Sequence, residues 1–488
     1  MPSPGSDRVD LSRIVTYALP SFALAAVGMP LVVHLPAFYA SSEVGLGLAA
    51  GSVFGFMRLL DVFVDPTCGY ISDQIHTRFG RRRPMLALGA PLLALGLWMV
   101  FVPGGPVSAV HLGFWLFVMY LGWSMCVIPH LSWGSELSGA YHERSRIYGW
   151  VQALTVAGMV GVLVIPAILE IAGVHDHGTQ IMAMAAFSVA TLLPGVALCV
   201  IFVPEPEVKL GTRAGFFRTL KFVLRNRAMR RVILIDLVEG MNQGMRGVMF
   251  FYFADIVLAL PRAANSLLLL YFVSGVLCMP VWMKLSRRLG KHRALMAAYV
   301  YGCCMSPLMF FIPPGNVMFA AVVLVVTGVT YGAPAFLIRS MMADVADADA
   351  AENNTERAGL MYSFLALTAK LGIALPALAL PVLGLLGFNP NAAHFAPQVV
   401  SNLRAFYILV PVGLALTCLA IAAGYPIGER EQRALRAEVD RLRAGSGGER
   451  QAPGEGDIMA GIVAVRADAP PTDSDAIADA TFAKGPAE

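Results

Sequence analysis

Twelve apolar stretches, each long enough to cross a bilayer, constrain this chain more than any other feature. They run roughly over residues 13–38, 45–72, 84–104, 109–138, 146–172, 180–203, 232–259, 264–286, 294–312, 317–343, 358–387 and 403–425. A spanning helix needs about 20 predominantly apolar residues to cross about 30 Å of hydrocarbon. In lipid every backbone N–H and C=O must be satisfied internally, so only helices and closed barrels span, and runs of this length are helical. The 488 residues are 57% hydrophobic and 14% charged, with a mean hydropathy of +0.66. That is far more apolar than a soluble domain. The pattern predicts an all-α integral membrane protein and excludes a soluble enzyme.

The net charge of +4 is small, and the basic residues are grouped in short loops rather than in one patch. This is a topology signal, with no nucleic-acid partner implied. Loops after even-numbered spans carry Arg78, Arg81, Arg82, Arg83, Arg144, Arg146, a run from Lys209 to Arg231, then Lys284, Arg287, Arg288, Lys291 and Arg293. Loops after odd-numbered spans carry almost none. The positive-inside rule therefore places both termini in the cytoplasm, in a cell membrane that is the inner membrane if the source is bacterial. The opening MPSPGSDRVDLS lacks the apolar core of a signal peptide, so the first span is expected to persist. The seven cysteines lie in apolar segments without CxxC spacing and read as small core residues.

The polar segment between the sixth and seventh spans divides the chain. We expect a six-helix half over 1–204, a cytoplasmic linker over 205–231, a second half over 232–427 and a cytoplasmic tail over 428–488. In the linker, Phe216, Phe217, Leu220 and Leu224 fall near helical spacing among basic residues, as in an inner-leaflet amphipathic helix or a solvated basic linker. RFGRRRP at Arg78 is echoed by RLGKHRA at Arg288, an offset of 210 residues at the same point of each half. Such a repeat predicts two pseudo-symmetric halves with a substrate site between them near the midplane. In the tail, Leu435, Val439 and Leu442 suggest one short amphipathic helix, and the Gly-, Ala-, Pro- and Asp-rich remainder from Ser446 reads as disordered.

Charge inside the spans marks candidate sites. In RLLDVFVD, Arg58, Asp61 and Asp65 sit at i, i+3 and i+7 and share one helix face over about 10 Å. Charges in hydrocarbon are costly and normally face a bundle interior or an ion pathway. If Arg58 neutralises one acid, another is left over. Two carboxylates one turn apart offer oxygen ligands to a hard cation, and their repulsion favours proton uptake, so sodium and proton both remain open. At the offset of 210, Asp61 corresponds to Tyr271 and Asp65 to Gly275; the basic feature repeats and the acids do not.

Lys370 lies deep in the eleventh span, too far from either end to snorkel easily, and calls for a buried partner, with a second-span carboxylate the candidate. In the seventh span Glu239, Asn242, Gln243 and Arg246 share a face, either as ligands for a hydroxyl-rich or zwitterionic solute or as an internally satisfied seam. Asp236, one turn earlier, is expected near the membrane surface and solvated. Asp73, Arg78, Arg81, Glu136, Arg144, Arg339 and Asp344, with Asp347, Asp349 and Arg357, flank the cytoplasmic loops and suggest an inner gate. Trp123, Trp133 and Trp150 either stack on a solute or anchor at the interface, and Trp133 is taken as the substrate contact.

These residues resemble the glycoside–pentoside–hexuronide cation symporters, the major facilitator branch that includes melibiose permease. RLLDVFVDPTCGYISDQIHTRFGRRRP, IPHLSWGSELS with HERSR, and AKLG at Lys370 carry the resemblance, which extends to about residue 425. It implies a twelve-transmembrane-helix major facilitator fold and sodium- or proton-coupled uptake by alternating access. It further implies that Asp61 and Asp65 ligate the cation, with Ser124 supplying a hydroxyl and Lys370 taking part in coupling. Where the family places sugar-recognising acids this chain has Ala25 and Val127, and where it places a fifth-span arginine this chain has Val151 or Gln152. A melibiose-type substrate is therefore not expected. A vertebrate branch that moves lysophospholipids also combines second-span acids with an eleventh-span lysine.

The expectation is a monomeric, cation-coupled symporter for a small organic solute, a sugar or glycoside first, a lysophospholipid or other amphiphile second. It has no cofactor beyond Na⁺ or H⁺, and its partners are the solute and membrane lipids. The alternative from another class is a transporter-like receptor that binds without moving its ligand. No nucleotide-binding P-loop is present.

Overall fold

A computed structural model describes residues 8–33, 35, 39, 48–102, 107–173, 176–206, 226–353, 357–374, 383–384, 388 and 395–445. The expected linker helix and the tail from Ser446 lie outside the described residues, and so does the Arg58 side chain. The described residues form helices, with no strand among them. The first six are α1 (Leu11–Val33), α2 (Leu48–Gln74), α3 (Arg83–Phe101), α4 (Ala109–Glu136), α5 (Tyr141–Ile171) and α6 (His177–Phe202). After the linker come α7 (Arg227–Tyr252), α8 (Ala264–Leu277), α9 (Met279–Leu289), α10 (Lys291–Met305), α11 (Val317–Gly328) and α12 (Ala333–Asn353). The last three are α13 (Ala358–Ala374), α14 (Pro397–Ala423) and α15 (Glu429–Gly445).

Eight of the membrane candidates pass on length and hydropathy, α11 running on into α12 as one of them. A ninth is the pair α8 and α9, bent by about 40° where Pro280 cannot donate a backbone hydrogen bond. Three helices miss that test for instructive reasons. Every 18-residue window of α2 holds Arg58, Asp61 and Asp65, and every such window of α7 holds Asp236, Glu239 and at least one arginine. The described part of α13 is 17 residues long. Counted with these, the described residues supply twelve spans, and the two disqualified by charge are those with acids in mid-span.

Packing follows chain order. One core joins residues between Ile14 and Val203, and a second joins residues between Met245 and Ile408. A third ties the two together, running from Leu131 and Tyr148 through α10, α12 and α14 to Leu435 and Val439 of α15. Large apolar side chains such as Leu88, Phe114, Ile201, Leu277, Phe311 and Met318 point outward, as expected of a surface facing lipid.

Helix α13 lies between α2 and α7. Glycines set both contacts: a Cβ on Gly69 of α2 would stand 2.6 Å from the Gly359 carbonyl oxygen, and one on Gly372 would stand 2.6 Å from the Leu237 carbonyl oxygen of α7. Only residues without a side chain permit such close backbone approach. The one helix that carries a mid-span lysine is thus clamped between the two that carry mid-span acids.

Candidate functional site: an acid pair, a lysine and a central cavity

Asp61 and Asp65 lie one turn apart on α2, both about 1–2% exposed. The Lys370 ammonium of α13 bridges them, with Nζ 2.8 Å from Asp61 Oδ2 and 2.7 Å from Asp65 Oδ2. Ser124 Oγ of α4 donates to Asp65 Oδ1 at 2.5 Å. Three helices therefore meet at one polar point, walled by Cys68, Met85, Ile128 and Ala366. Burying a charge is tolerable only when it is paired and hydrogen-bonded. Here two acids share one lysine among the described side chains.

Lys370 also lines a central cavity of about 240 Å³. Leu24, Ala25, Val127, Leu131, Val151 and Leu365 make its apolar wall, and Trp123 adds an aromatic edge. Its polar lining includes Asp236, Arg339 and His130. Asp236 is not at a solvated surface, contrary to the expectation from its position. It is half-buried on the cavity, with Thr368 Oγ1 of α13 donating to its Oδ2 at 2.8 Å. Counting residues from the start of the apolar run misplaced it, because α7 begins at Arg227 and carries Asp236 more than two turns into the helix. Arg339, grouped by sequence with the gate, is instead on the cavity, its Nη1 donating to Gln152 Oε1 at 2.7 Å.

Trp133 is not on this cavity. It is fully buried against the edge of Tyr17, with the Arg83 guanidinium 5.9 Å from its ring. The tryptophan that does line the cavity is Trp123, one helical turn beyond Tyr120 on the same helix and three turns before the end of α4. Glu239, Asn242, Gln243 and Arg246 form a seam along α7. Glu239 accepts from Asn242 at 3.4 Å and from Gln243 at 3.1 Å, and Arg246 donates to Asn242 at 3.4 Å and to Ser306 at 3.3 Å. None of the four lines the central cavity.

A model of the family described as MFS/sugar transport protein matches residues 16–429. The chain belongs to that family. It is 24% identical over 427 residues to the glucuronide carrier protein homolog of Escherichia coli strain K12, covering 83% of this chain and 90% of that protein. It is also 24% identical over 461 residues to the sodium-dependent lysophosphatidylcholine symporter 1 of Gallus gallus, covering 84% of each. The solved structure of the E. coli fucose:proton symporter FucP superposes with a TM-score of 0.63 at 14% identity, over 85% of this chain and all of that one. The fold is the all-α major facilitator fold, and the chain is a multi-pass membrane protein rather than an enzyme.

The structure has a second polar assembly, at the end of the bundle that carries the basic loops. Asp73, at the end of α2, accepts from the backbone N–H groups of Gly359 and Leu360 at 2.9 Å each, at the positive N-terminus of α13. Arg81 and Arg82 both pair with Asp73 at 2.9 Å, and Arg82 reaches Glu136 at 2.5 Å. Arg144 of α5 pairs with Asp347 at 2.5 Å and Asp344 at 3.4 Å on α12, and Lys291 of α10 sits 2.7 Å from Asp344. Arg357 pairs with Asp349. Helix α15 joins the cluster: Gln432 donates to Asp347 at 3.1 Å and to the Gly139 carbonyl at 3.3 Å.

Arg78 stands apart, exposed above the Phe79 ring. Sequence reasoning treated Arg82 and Lys291 only as topology signals. Their signal was position: each opens the helix after a basic loop, where a side chain can turn inward. Glu205 was missed as well. It accepts the backbone N–H groups of Arg81 at 2.7 Å and Arg82 at 2.6 Å, holding the arginine loop from the far end of α6.

Proposed function

We propose that this protein is a sodium- or proton-coupled symporter for a small organic solute, working by alternating access between two six-helix halves, 1–204 and 232–427, joined by the 205–231 linker. The observation that carries the proposal is the Lys370 ammonium held by both Asp61 and Asp65 on the edge of the central cavity. An ammonium there occupies the place of a coupling cation. Na⁺ would take oxygens from Asp61, Asp65 and Ser124, all hard ligands, whereas a proton would neutralise one acid. Either event weakens the hold on Lys370, whose side chain then turns toward the cavity and changes how it receives solute. Cation and solute affinities are thereby linked, and the linkage is reciprocal.

On this reading the basic-loop end is cytoplasmic and closed. The bridges from Arg144 to Asp347 and from Asp73 to the start of α13 tie the halves together and must part for inward release. The seam of Glu239, Asn242, Gln243 and Arg246 serves as an internal brace of the second half. The cavity, slightly below the range of about 300–1,000 Å³ usual for ligand pockets, suits a sugar ring or glycoside first. A lysophospholipid is the second reading, favoured by the continuous apolar wall from Leu24 to Leu365.

Uptake and counterflow in proteoliposomes test the proposal. The Asp61→Asn, Asp65→Asn double variant is expected to fold and to lose stimulation by Na⁺ or a proton gradient, on the order of 5–150-fold for a typical coupling energy. Normal coupled transport by that variant overturns the assignment of the cation site. Binding without counterflow by the unmodified protein points to a receptor.

A further inference from the structure

The buried arginines of this protein pair with carboxylates, whereas half-buried Arg246 and Arg339 have neutral partners within hydrogen-bond reach and no carboxylate within 4.0 Å among the described residues, and of these two only Arg339 lines the central cavity. Arg81, Arg82, Arg144, Arg146 and Arg357 each have a carboxylate within 4.0 Å. Arg339, half-buried on α12, has none among the described residues, although its guanidinium lies on the cavity. Gln152 of α5 accepts from Nη1 at 2.7 Å and fixes the side chain from the opposite half. A neutral amide orients the group without cancelling its charge. The nearest acid of the cavity, Asp236, stands beyond ion-pair distance and is engaged by Thr368. Lys370, the other cation of the lining, is already held by Asp61 and Asp65.

A guanidinium is planar and presents paired N–H donors whose spacing matches the two oxygens of a carboxylate or phosphate. A desolvated arginine without a carboxylate is costly unless something supplies the oxyanion. Asp236, on the same cavity, offers the complementary feature, an acceptor for a hydroxyl or a cationic group. Leu24, Val127 and Val151 leave the remaining wall apolar.

We propose that Arg339 is the solute's anchor and that the solute of this site carries an oxyanion, carboxylate or phosphate, together with a hydroxyl-bearing or cationic group that faces Asp236. Gln152 is the positioning residue for that arginine. The inference rests on the symport reading for the identity of the cavity as the solute site, but it does not depend on which cation couples. It separates oxyanion-bearing solutes from those of the same shape without an oxyanion, which cavity size alone does not do.

Matched probe pairs test it. The first is para-nitrophenyl glucuronide against para-nitrophenyl glucoside; the second is lysophosphatidylcholine against a monoacylglycerol of equal chain length. Binding is read by thermal shift of the purified protein and transport by counterflow. The unmodified protein is expected to take the oxyanion-bearing member of one pair, the glucuronide or the zwitterionic lysophosphatidylcholine, at least tenfold more tightly than its partner without an oxyanion, and which pair responds identifies the source of the oxyanion. Arg339→Gln should weaken that probe about thirtyfold or more and erase the discrimination. Arg339→Lys should keep the preference for the oxyanion at reduced affinity, and Gln152→Ala should lower affinity while leaving the preference in place.

Stabilisation by Na⁺ or by acid pH, measured on the same Arg339 variants, should match the unmodified protein, which shows that they fold. Equal binding of both members of each pair, no response to either oxyanion-bearing probe, or intact discrimination in Arg339→Gln overturns the proposal. Loss of cation dependence in the unmodified protein with discrimination intact instead overturns the coupling reading and leaves the role of Arg339 standing.

Discussion

Two lysines hold aspartates in this bundle, half-buried Lys370 and fully buried Lys291, and they share their acids differently. Lys370, in mid-span, bridges Asp61 and Asp65. Lys291, at the basic-loop end, holds Asp344 together with Arg144, which also takes Asp347, and Asp347 is further met by Arg436 at 3.4 Å. Among the described residues, one base bridges two acids in the first cluster, whereas in the second Asp344 is met by Lys291 and Arg144 and Asp347 by Arg144 and Arg436. An acid already met by two bases has little attraction for a further cation and acts as part of a lock. Two acids that share one lysine, buried where charge is expensive, offer oxygens that one more positive charge can use. What separates a candidate binding site from a structural ion network here is how many bases meet each acid and whether the lysine reaches a cavity, Lys370 being 20% exposed and Lys291 1%, rather than distance, which the two share.

The largest expected effect comes from removing the lysine that Asp61 and Asp65 share. Lys370→Met leaves two buried carboxylates without their lysine and should cost about 3–5 kcal/mol of stability in cation-free buffer. Saturating Na⁺ or mildly acid pH should return most of that loss, giving a cation-induced rise in thermal midpoint larger than in the unmodified protein. No larger rise would break the contrast.

Lys291→Met should have a somewhat smaller effect, about 3 kcal/mol, since Arg144 still reaches Asp344. Its thermal midpoint should show no extra response to Na⁺, and a cation rescue equal to that of Lys370→Met would show the two clusters to be alike. Gln432→Ala, which removes the hydrogen bonds from α15 to Asp347 and Gly139, is expected to cost only about 1 kcal/mol. Thermal unfolding in detergent measures it, and a loss as large as that of Lys291→Met would make α15 a main part of the lock.

Much of the site was legible before any coordinates. Asp61, Asp65 and Lys370 announced themselves because charge in a spanning helix has few innocent explanations. Ser124 came only through resemblance, since a serine in an apolar helix ordinarily bonds its own backbone, as Ser132 does here. Asp236 and Arg339 were seen as residues and misplaced in depth, because position within an apolar run does not reveal where a helix begins or which way it turns. Trp133 was chosen for its residue type and proved to be core. The tail helix was legible as amphipathic from Leu435 and Val439, but not what it covers.

By itself the sequence determined the class of the fold, the number of spans, the sidedness signal and the presence of charge within the second, seventh and eleventh spans. These follow from local chemistry: the length of apolar runs, the cost of charge in lipid and the bias of lysine and arginine among loops. Tertiary structure alone decided that Lys370 meets both acids, that Arg339 faces the cavity without a carboxylate, and that Arg82 and Lys291 turn inward. Each of these depends on helices far apart in the chain, brought into register by glycine contacts such as Gly69 with Gly359 and Gly240 with Gly372. A pattern along one helix gives the face on which a charge lies; only the packing of its neighbours decides what that face meets.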